Sequence, residues 1–158
     1  MKPYIKLFSL FCIFLRFNTY AQLTDNLQYL KPEIGGVGQL LQPTRPTMQL
    51  PYQMIRMTPS RKDYLDDEIS NFPLQLPSHR MGAVFAIMPN TDSIITQNSW
   101  KEKMAYDQDL EDRSPWHYKN YLTEKEISVD FVPGKKAAIF RFIFPKNKEQ
   151  NIALKFFQ

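Results

Sequence analysis

Apolar and polar residues alternate at a period of two in the C-terminal third of the chain, which is the spacing of β-strands. In EISVDFVPGKKAAIFRFIFPKN, the apolar residues Ile127, Val129 and Phe131 alternate with Ser128 and Asp130, which predicts a half-buried strand. A proline-glycine turn follows, and the next run sets three phenylalanines on one face. The final segment NIALKFFQ repeats the alternation. Three successive strands joined by short polar turns predict an antiparallel meander.

Shorter apolar runs upstream predict further strands. QMIRMTP is a short strand ended by Pro59, and GAVFAIMP and SIIT are strands bounded by Pro89, Asn90 and Asp92. The most charged window, Ser60 to Ile69, lies between proline-rich stretches and predicts a structured loop. Because no amphipathic helical stripe of useful length occurs, the fold class is all-β.

The N-terminus has the pattern of a secretory signal peptide. Lys2 and Lys6 precede the apolar run LFSLFCIFL, and small residues stand at Thr19 and Ala21, which predicts cleavage after Ala21. The apolar run is too short for a stable membrane anchor. We therefore expect residues 1–21 to be a signal peptide, residues 22–158 to be one domain, and the protein to be secreted or periplasmic without a membrane attachment.

Removing the signal peptide changes the charge and the cysteine count. The segment carries three cations and no acid, so the net charge falls from +4 to +1. Nucleic-acid binding loses its main support, because it needs a clustered basic surface. The single cysteine, Cys12, leaves with the signal, which excludes disulfides, a cysteine nucleophile and thiolate metal ligands from the mature chain.

Two short stretches offer candidate binding residues. The stretch PEIGGVGQLLQPTRPTMQLP gathers Gly35, Gly36 and a third glycine ahead of Arg45. It lacks the spacing and lysine of a phosphate-binding loop, and either brings backbone close to a ligand or is plain loop geometry. In PSHRMG, His79 and Arg80 are candidates for binding hydroxyl groups, or else form an ordinary exposed turn.

Other chemistry-bearing residues have simpler interpretations. The four carboxylates of the charged window lack the spacing of a calcium-binding loop, and a solvated loop is the favoured interpretation. Two histidines without ligand spacing do not predict a zinc site. The aromatic side chains are candidates for contact with sugars, with a hydrophobic core as the default. They are Trp100, Trp116, Tyr118 and Tyr121.

Four segments together resemble the N-terminal domain of glycoside hydrolase family 92, which contains secreted bacterial α-mannosidases. In chain order they are IGGVGQLLQPTRPTMQLPYQMIRMTP, FPLQLPSHRMG, YDQDLEDRSPWHYKNYL and ISVDFVPGKKAAIFRFIFP, and they span most of Ile34 to Pro145. The first departs from the commoner pattern, because QPTRPT and LPYQM stand where many members have a glycine- and histidine-containing loop and a PFG-like turn. This makes the chain a divergent member.

The resemblance implies an antiparallel β-sandwich that precedes a large helical domain. In the family, that helical domain supplies the general acid, the general base and the calcium site of an inverting exo-α-mannosidase, while sandwich loops shape the sugar pocket. It implies that Gly35, Gly36, Arg45, His79 and Arg80 bind substrate, that the catalytic residues and calcium ligands lie outside this chain, and that its partners are mannose-containing glycans and the helical domain.

The end of the chain bears on the same prediction. KFFQ closes the sequence on an apolar strand, and an unpaired apolar edge strand invites aggregation. We therefore expect this chain to be the front part of a longer enzyme that is inactive alone. The alternatives are a free-standing, non-catalytic carbohydrate-binding sandwich and a structural or adhesion module without sugar affinity.

Overall fold

The structure is a computed structural model that describes residues 26–32, 34, 48–63, 65–75 and 83–157. Within these residues the chain forms ten strands: β1 (Arg56–Met57), β2 (Glu68–Ile69), β3 (Phe72–Gln75), β4 (Ala83–Asn90), β5 (Met104–Ala105), β6 (Asp112–Ser114), β7 (His117–Leu122), β8 (Ile127–Pro133), β9 (Ala138–Ile143) and β10 (Asn151–Phe156). Helical structure in the described part is confined to short 3-10 turns at Asn26–Tyr29, Gln97–Lys101 and Gln108–Leu110. The all-β prediction is confirmed.

The strands form two four-stranded antiparallel sheets and one small sheet. The first sheet has the order β1-β3-β4-β10, and the second has the order β6-β7-β8-β9. The short strands β2 and β5 pair with each other, and the backbone N–H of Thr123 donates to the carbonyl of Ala105 at 2.9 Å. This bond links the small sheet to the end of β7.

The two sheets pack face to face around a core drawn from both. Phe72 of β3 contacts Tyr118 of β7 and Phe140 of β9, with ring centroids 6.0 and 6.1 Å apart. The inward residues of β8 are fully buried, and each such side chain contributes about 1.5–3 kcal/mol. The buried apolar cluster consists of Met48, Met57, Ile69, Phe72, Leu74, Met88, Met104, Tyr106, Tyr118, Leu122, Ile127, Val129 and Phe131. This packing confirms the predicted β-sandwich.

The connection between β4 and β5 covers the outer face of the first sheet. Met88 is only 1% exposed, and Ile95 and Trp100 pack against the core cluster. The 3-10 turn that carries Trp100 begins with a capping box in which Thr96 accepts from the N–H of Asn98. The segment SIIT, predicted as a strand, is therefore irregular backbone. Of its two isoleucines, Ile95 packs against the core whereas Ile94 is 74% exposed, so the segment covers the sheet rather than forming a strand within it.

The predicted three-strand meander is wrong in its last step. β8 and β9 form the expected hairpin, but β10 pairs with β4 in the other sheet, with Phe156 opposite Phe85 and Asn151 opposite Asn90. Sequence alternation predicted the strand, but it contains no information about which edge the strand joins.

Among the described residues, none of the helical segments is long and apolar enough to cross a membrane. The predicted signal peptide, residues 1–21, lies outside the described residues.

Candidate functional site

The strand pairing gathers several turns at one end of the sandwich, which we call the rim. In the first sheet this end carries the turn Pro51–Tyr52. In the second sheet it carries the turns Pro115–Trp116 and Gly134–Ala137. The backbone N–H of Met54 donates to the carbonyl of Lys135 at 3.0 Å, which joins the two sheets at this end. The rim is therefore a single surface built from both sheets.

The five predicted substrate-binding residues, Gly35, Gly36, Arg45, His79 and Arg80, all lie outside the described residues. Their role in binding substrate therefore stays a prediction.

The described residues that flank these candidates have definite positions. β3 ends at Gln75 and β4 begins at Ala83, and these two residues pair at the rim, so the segment with His79 and Arg80 leaves and rejoins the sheet there. The segment with Arg45 rejoins at Met48, which pairs antiparallel with Met57.

A buried glutamine fixes the turn at Tyr52. Gln53 is 4% exposed, and its side-chain NH2 donates to the carbonyl of Gly134. Its side-chain oxygen accepts from the backbone N–H of Leu50. Because both polar groups of the Gln53 side chain are hydrogen-bonded to backbone groups, the turn is fixed and the preceding residue, Tyr52, points into solvent.

Tyr52 itself is fully exposed and has a backbone φ of 59°. This left-handed conformation costs a residue with a side chain about 1–2 kcal/mol. Glu126 also has a positive φ of 58°, but it lies in the tight β7–β8 hairpin, where such angles suit the twist of the strands. Tyr52 follows Pro51 in the turn between Met48 and Met57, which pair antiparallel, and a positive φ directly after proline is typical of a type II turn.

A groove of about 590 Å³ lies at the rim between the turns of Tyr52 and Trp116. The described residues that line it have uncharged side chains: Leu27, Leu30, Gln49, Leu50, Pro51, Tyr52, Pro115 and Trp116. A volume of this size is typical of small-ligand sites. We call it the rim groove.

The other aromatic candidates have structural positions. Tyr118 is fully buried in the core, and burial raises the pKa of its phenol. Trp100 packs against the core cluster, and Tyr121 is half-buried on β7. The core interpretation is therefore right for Tyr118 and Trp100, whereas Trp116 lines the rim groove.

The most buried charges form a cluster around Glu111. This carboxylate is fully buried and accepts from Arg61 at 3.0 Å and from Arg113 at 3.1 Å. Arg61 also donates to the hydroxyl of Tyr106, which in turn donates to the carbonyl of Asp66 at 2.7 Å. Burial opposes the charge of Arg61, but the neighbouring Glu111 carboxylate outweighs it and raises the pKa of the guanidinium.

This arrangement argues against a catalytic role for Glu111. A general acid must release its proton to substrate, whereas this carboxylate is enclosed between two guanidinium groups and has no exposed side-chain surface. The cluster ties the charged loop to β6, and it is a structural ion-pair network.

A second ionic group lies on the outer face of the second sheet. Asp130 accepts from Arg141 at 3.0 Å and contacts Nε2 of His117 at 3.2 Å. Burial raises the pKa of this carboxyl, but the hydrogen bonds from Arg141 and His117 outweigh it, so the net shift is downward. Asp130 is consequently ionised at neutral pH, and it holds three strands together.

The charged window folds as a loop that ends in strand β2 at Glu68–Ile69, and carboxylates of the loop bind its own backbone. Asp66 accepts from the N–H groups of Lys62 and Glu68, and Asp63 accepts from the N–H of Leu65. Lys103 reaches Glu68 at 2.8 Å. Within the described ranges, no group of three or more histidine, cysteine or acidic side chains is placed to hold a metal ion.

Comparison with known proteins identifies the domain. The sequence matches the glycosyl hydrolase family 92 N-terminal domain over residues 29–158. The chain belongs to this family. No curated protein is significantly similar to it in sequence.

Two solved structures show the same fold as this family 92 domain. The inverting mannosidase BT2199 from Bacteroides thetaiotaomicron VPI-5482 superposes with a TM-score of 0.69 at 19% identity over 81% of the chain. The α-mannosidase BT3965 from Bacteroides thetaiotaomicron gives a TM-score of 0.67 at 21% identity over the same share. The chain spans about a fifth of each of these structures, 19% and 20% respectively.

The rim groove was not predicted from the sequence. LPYQM was noted only as a departure from the family pattern. The sequence signal that could have indicated the groove is an aromatic residue inside a turn, at a position where glycine or asparagine is usual. This residue is directly followed by a glutamine.

Proposed function

We propose that this domain is the N-terminal part of a secreted, calcium-dependent, inverting exo-α-mannosidase that removes terminal mannose from glycans. The observation that carries the proposal is the family match over residues 29–158, supported by the shared sandwich fold of two mannosidases. In this proposal the sandwich shapes one side of the sugar pocket, and a helical domain supplies the other.

The apolar side chains of the two edge strands support a large partner. Ile139 and Ile143 of β9 are 70% and 54% exposed, and Ile152, Leu154 and Phe156 of β10 are 54%, 56% and 71% exposed. The three residues of β10 share one face of the first sheet. Soluble proteins seldom leave a row of large apolar side chains uncovered, so we propose that the helical domain packs against β10.

The two buried carboxylates among the described residues have structural uses. Glu111 and Asp130 are each held by arginines, and an inverting glycosidase needs one free acid and one free base. The described side chains also do not fit a calcium site. In this proposal the helical domain, as the family resemblance implies, supplies the acid, the base and the calcium ligands.

The direct test compares two polypeptides in a mannose-release assay with an α-mannobiose. The 158-residue chain should release none, and a longer polypeptide that continues its reading frame should release mannose with inversion of the anomeric centre. Turnover by the short chain, or none by the long one in calcium, would reject the proposal. Chelation of calcium from the long form should abolish its activity.

Export is the second part of the proposal. The basic and apolar pattern before Ala21 supports it. Expression in a bacterium with N-terminal sequencing of the product should find Gln22 as the first residue in the periplasm or medium. An intact N-terminus in the cytoplasm would refute export while leaving the glycosidase assignment untouched.

A free-standing carbohydrate-binding module is the second candidate. The rim groove favours it, because two aromatic side chains line a site made wholly by this chain. A soluble, monodisperse 158-residue product with sugar affinity and no continuing reading frame would support the module over the enzyme fragment.

A further inference from the structure

The outer faces of the two sheets have different surroundings. On the first sheet, the connection between β4 and β5 covers the outer face with Ile95 and Trp100. On the second sheet, three large apolar side chains of the outer face are open to solvent: Val132 is 48% exposed, Ile139 70% and Ile143 54%. A strand face in contact with water usually carries polar residues, so this face has the composition of a contact surface.

The strand register places these three residues on one side of the sheet. Val132 of β8 pairs directly with Ile139 of β9, and Ile143 follows four residues further along β9. Because successive side chains of a strand point to opposite faces, all three point away from the core, into which Phe131 and Phe140 project. We call the side of the second sheet that carries these isoleucines the outer face.

A row of four charged residues crosses the outer face. Asp112 of β6 pairs with Lys119 of β7, and Lys119 pairs in turn with Asp130 of β8. Asp130 pairs with Arg141 of β9, so the sign of the charge alternates along the row and the sum is zero. The side chains at the two ends, Asp112 and Arg141, are each 68% exposed. We call these four residues the charged row.

The charged row is complementary to its own reversed order. A two-fold axis parallel to the strands, between two outer faces, lays β6 of one copy over β9 of the other and β7 over β8. Asp112 then faces Arg141 of the second copy, and Lys119 faces its Asp130. A two-fold axis across the strands would instead set each residue against its own copy, so that like charges would meet. The row therefore selects one orientation.

The distances and donors suit this arrangement. Aligned sheets pack about 10 Å apart, which extended arginine and lysine side chains can bridge to a carboxylate. Arg141 donates to Asp130 of its own chain through Nε and Nη2, and a guanidinium has further N–H donors for Asp112 of the second copy. The isoleucines on both sides of Arg141 would be buried by the same contact.

We propose that the outer face of the second sheet is the interface of a symmetric homodimer. Burial of the apolar side chains stabilises the pair, and the charged row sets its orientation. Two-fold dimers are the commonest soluble oligomers. The proposal concerns the assembly of this chain and does not rest on the proposed mannosidase function.

The test measures the dissociation constant of the dimer by sedimentation over a dilution series. All measurements use the chain with Phe156→Ser, since the exposed side chains of β10 are a second site at which copies can associate. Asp112→Arg should weaken the dimer about tenfold, because it sets like charges against each other at two symmetric places, and it leaves the pair of Asp130 and Arg141 intact. Glu149→Arg is the matched control, because Glu149 lies exposed in the turn between β9 and β10 and should leave the dissociation constant unchanged.

The double variant Asp112→Arg/Arg141→Asp tests the orientation. It exchanges the two charges, so it should restore the dissociation constant to within about threefold of the starting value. Ile139→Ser should weaken the dimer independently of charge, because it removes apolar contact area. Thermal unfolding of each variant checks that it is folded.

Three outcomes overturn the proposal. The first is a monomer at every concentration, and the second is an unchanged dissociation constant in Asp112→Arg. The third is a folded double variant that associates no better than Asp112→Arg alone. If the outer face were covered by another domain, the longer polypeptide would be a monomer with slow hydrogen exchange on β9, and this too would overturn it. Mannose release is measured separately, so the failure of either proposal leaves the other standing.

Discussion

β8 and β10 have the same alternation of apolar and polar residues, yet their apolar side chains have opposite surroundings. Ile127, Val129 and Phe131 of β8 are fully buried, because β8 is a central strand covered by the first sheet. On β10, Leu154 and Phe156 are 56% and 71% exposed. They lie on the face that β10 shares with Phe85 and Ile87 of β4, but the second sheet does not extend over them. The alternation of apolar and polar residues thus predicts a strand, but the burial of its apolar side chains depends on whether the other sheet extends over them.

The largest expected effect tests the covered strand. Phe131→Ala should lower the free energy of unfolding by about 4 kcal/mol, because it leaves a cavity at a fully buried site. Phe142→Ala on β9 should cost less than half of that, since its ring is only half-buried. Denaturant unfolding of both variants measures the ratio, and equal losses would contradict the contrast between covered and open strands.

The buried charges give the next largest effect. Glu111→Gln should destabilise the protein by about 3 kcal/mol, because it leaves the Arg61 charge buried without its carboxylate. Glu126→Gln is the matched control, since Glu126 pairs with Lys148 at an exposed position and should change stability little. If Glu111→Gln left the free energy of unfolding unchanged, this would mean that water reaches the cluster.

Asp130 gives a smaller, pH-dependent effect. Its pKa is lowered in the folded state, so its contribution is present above the unfolded pKa of about 3.9 and is lost as pH falls through the folded value. Asp130→Asn should therefore cost about 1 kcal/mol at pH 7 and progressively less below pH 4. Thermal unfolding from pH 7 to pH 3 measures this convergence, and parallel curves would refute it.

The smallest effect on stability tests the open strand. Phe156→Ser should change the unfolding free energy of the chain by less than about 0.5 kcal/mol, because the side chain is largely in water. It should also reduce self-association, as measured by sedimentation. In the longer polypeptide of the proposed enzyme, the same change should weaken domain packing and lower activity. A large loss of stability in the short chain would show that β10 is covered after all.

Periodicity and turn chemistry predicted the parts of the fold that are local. The β8–β9 hairpin follows from alternation around Pro133 and Gly134, and the register Val129 opposite Phe142 agrees with it. The pairing of β10 with β4 was not predictable in this way, because it joins residues far apart in sequence. The prediction of a strand at SIIT was wrong for a related reason. Ile95 packs against the core although its backbone is irregular.

The candidate site was less predictable than the fold. Glycine clusters and a His-Arg pair drew attention to residues that lie outside the described part of the chain. The groove that the structure does describe depends on Tyr52 and Trp116, which are far apart in sequence and meet only because their turns share the rim. Gln53, which orients Tyr52, has no sequence signature of its own.

β10 is the last of the described strands to be synthesised, and this has a consequence for biosynthesis. Until β10 has been made, the backbone of β4 from Phe85 to Asn90 lacks its outer hydrogen-bonding neighbour. A ribosome-bound intermediate would thus expose a ready template for strand exchange between nascent molecules. Delivery of the unfolded polypeptide to an export machine, before folding starts, would remove that hazard.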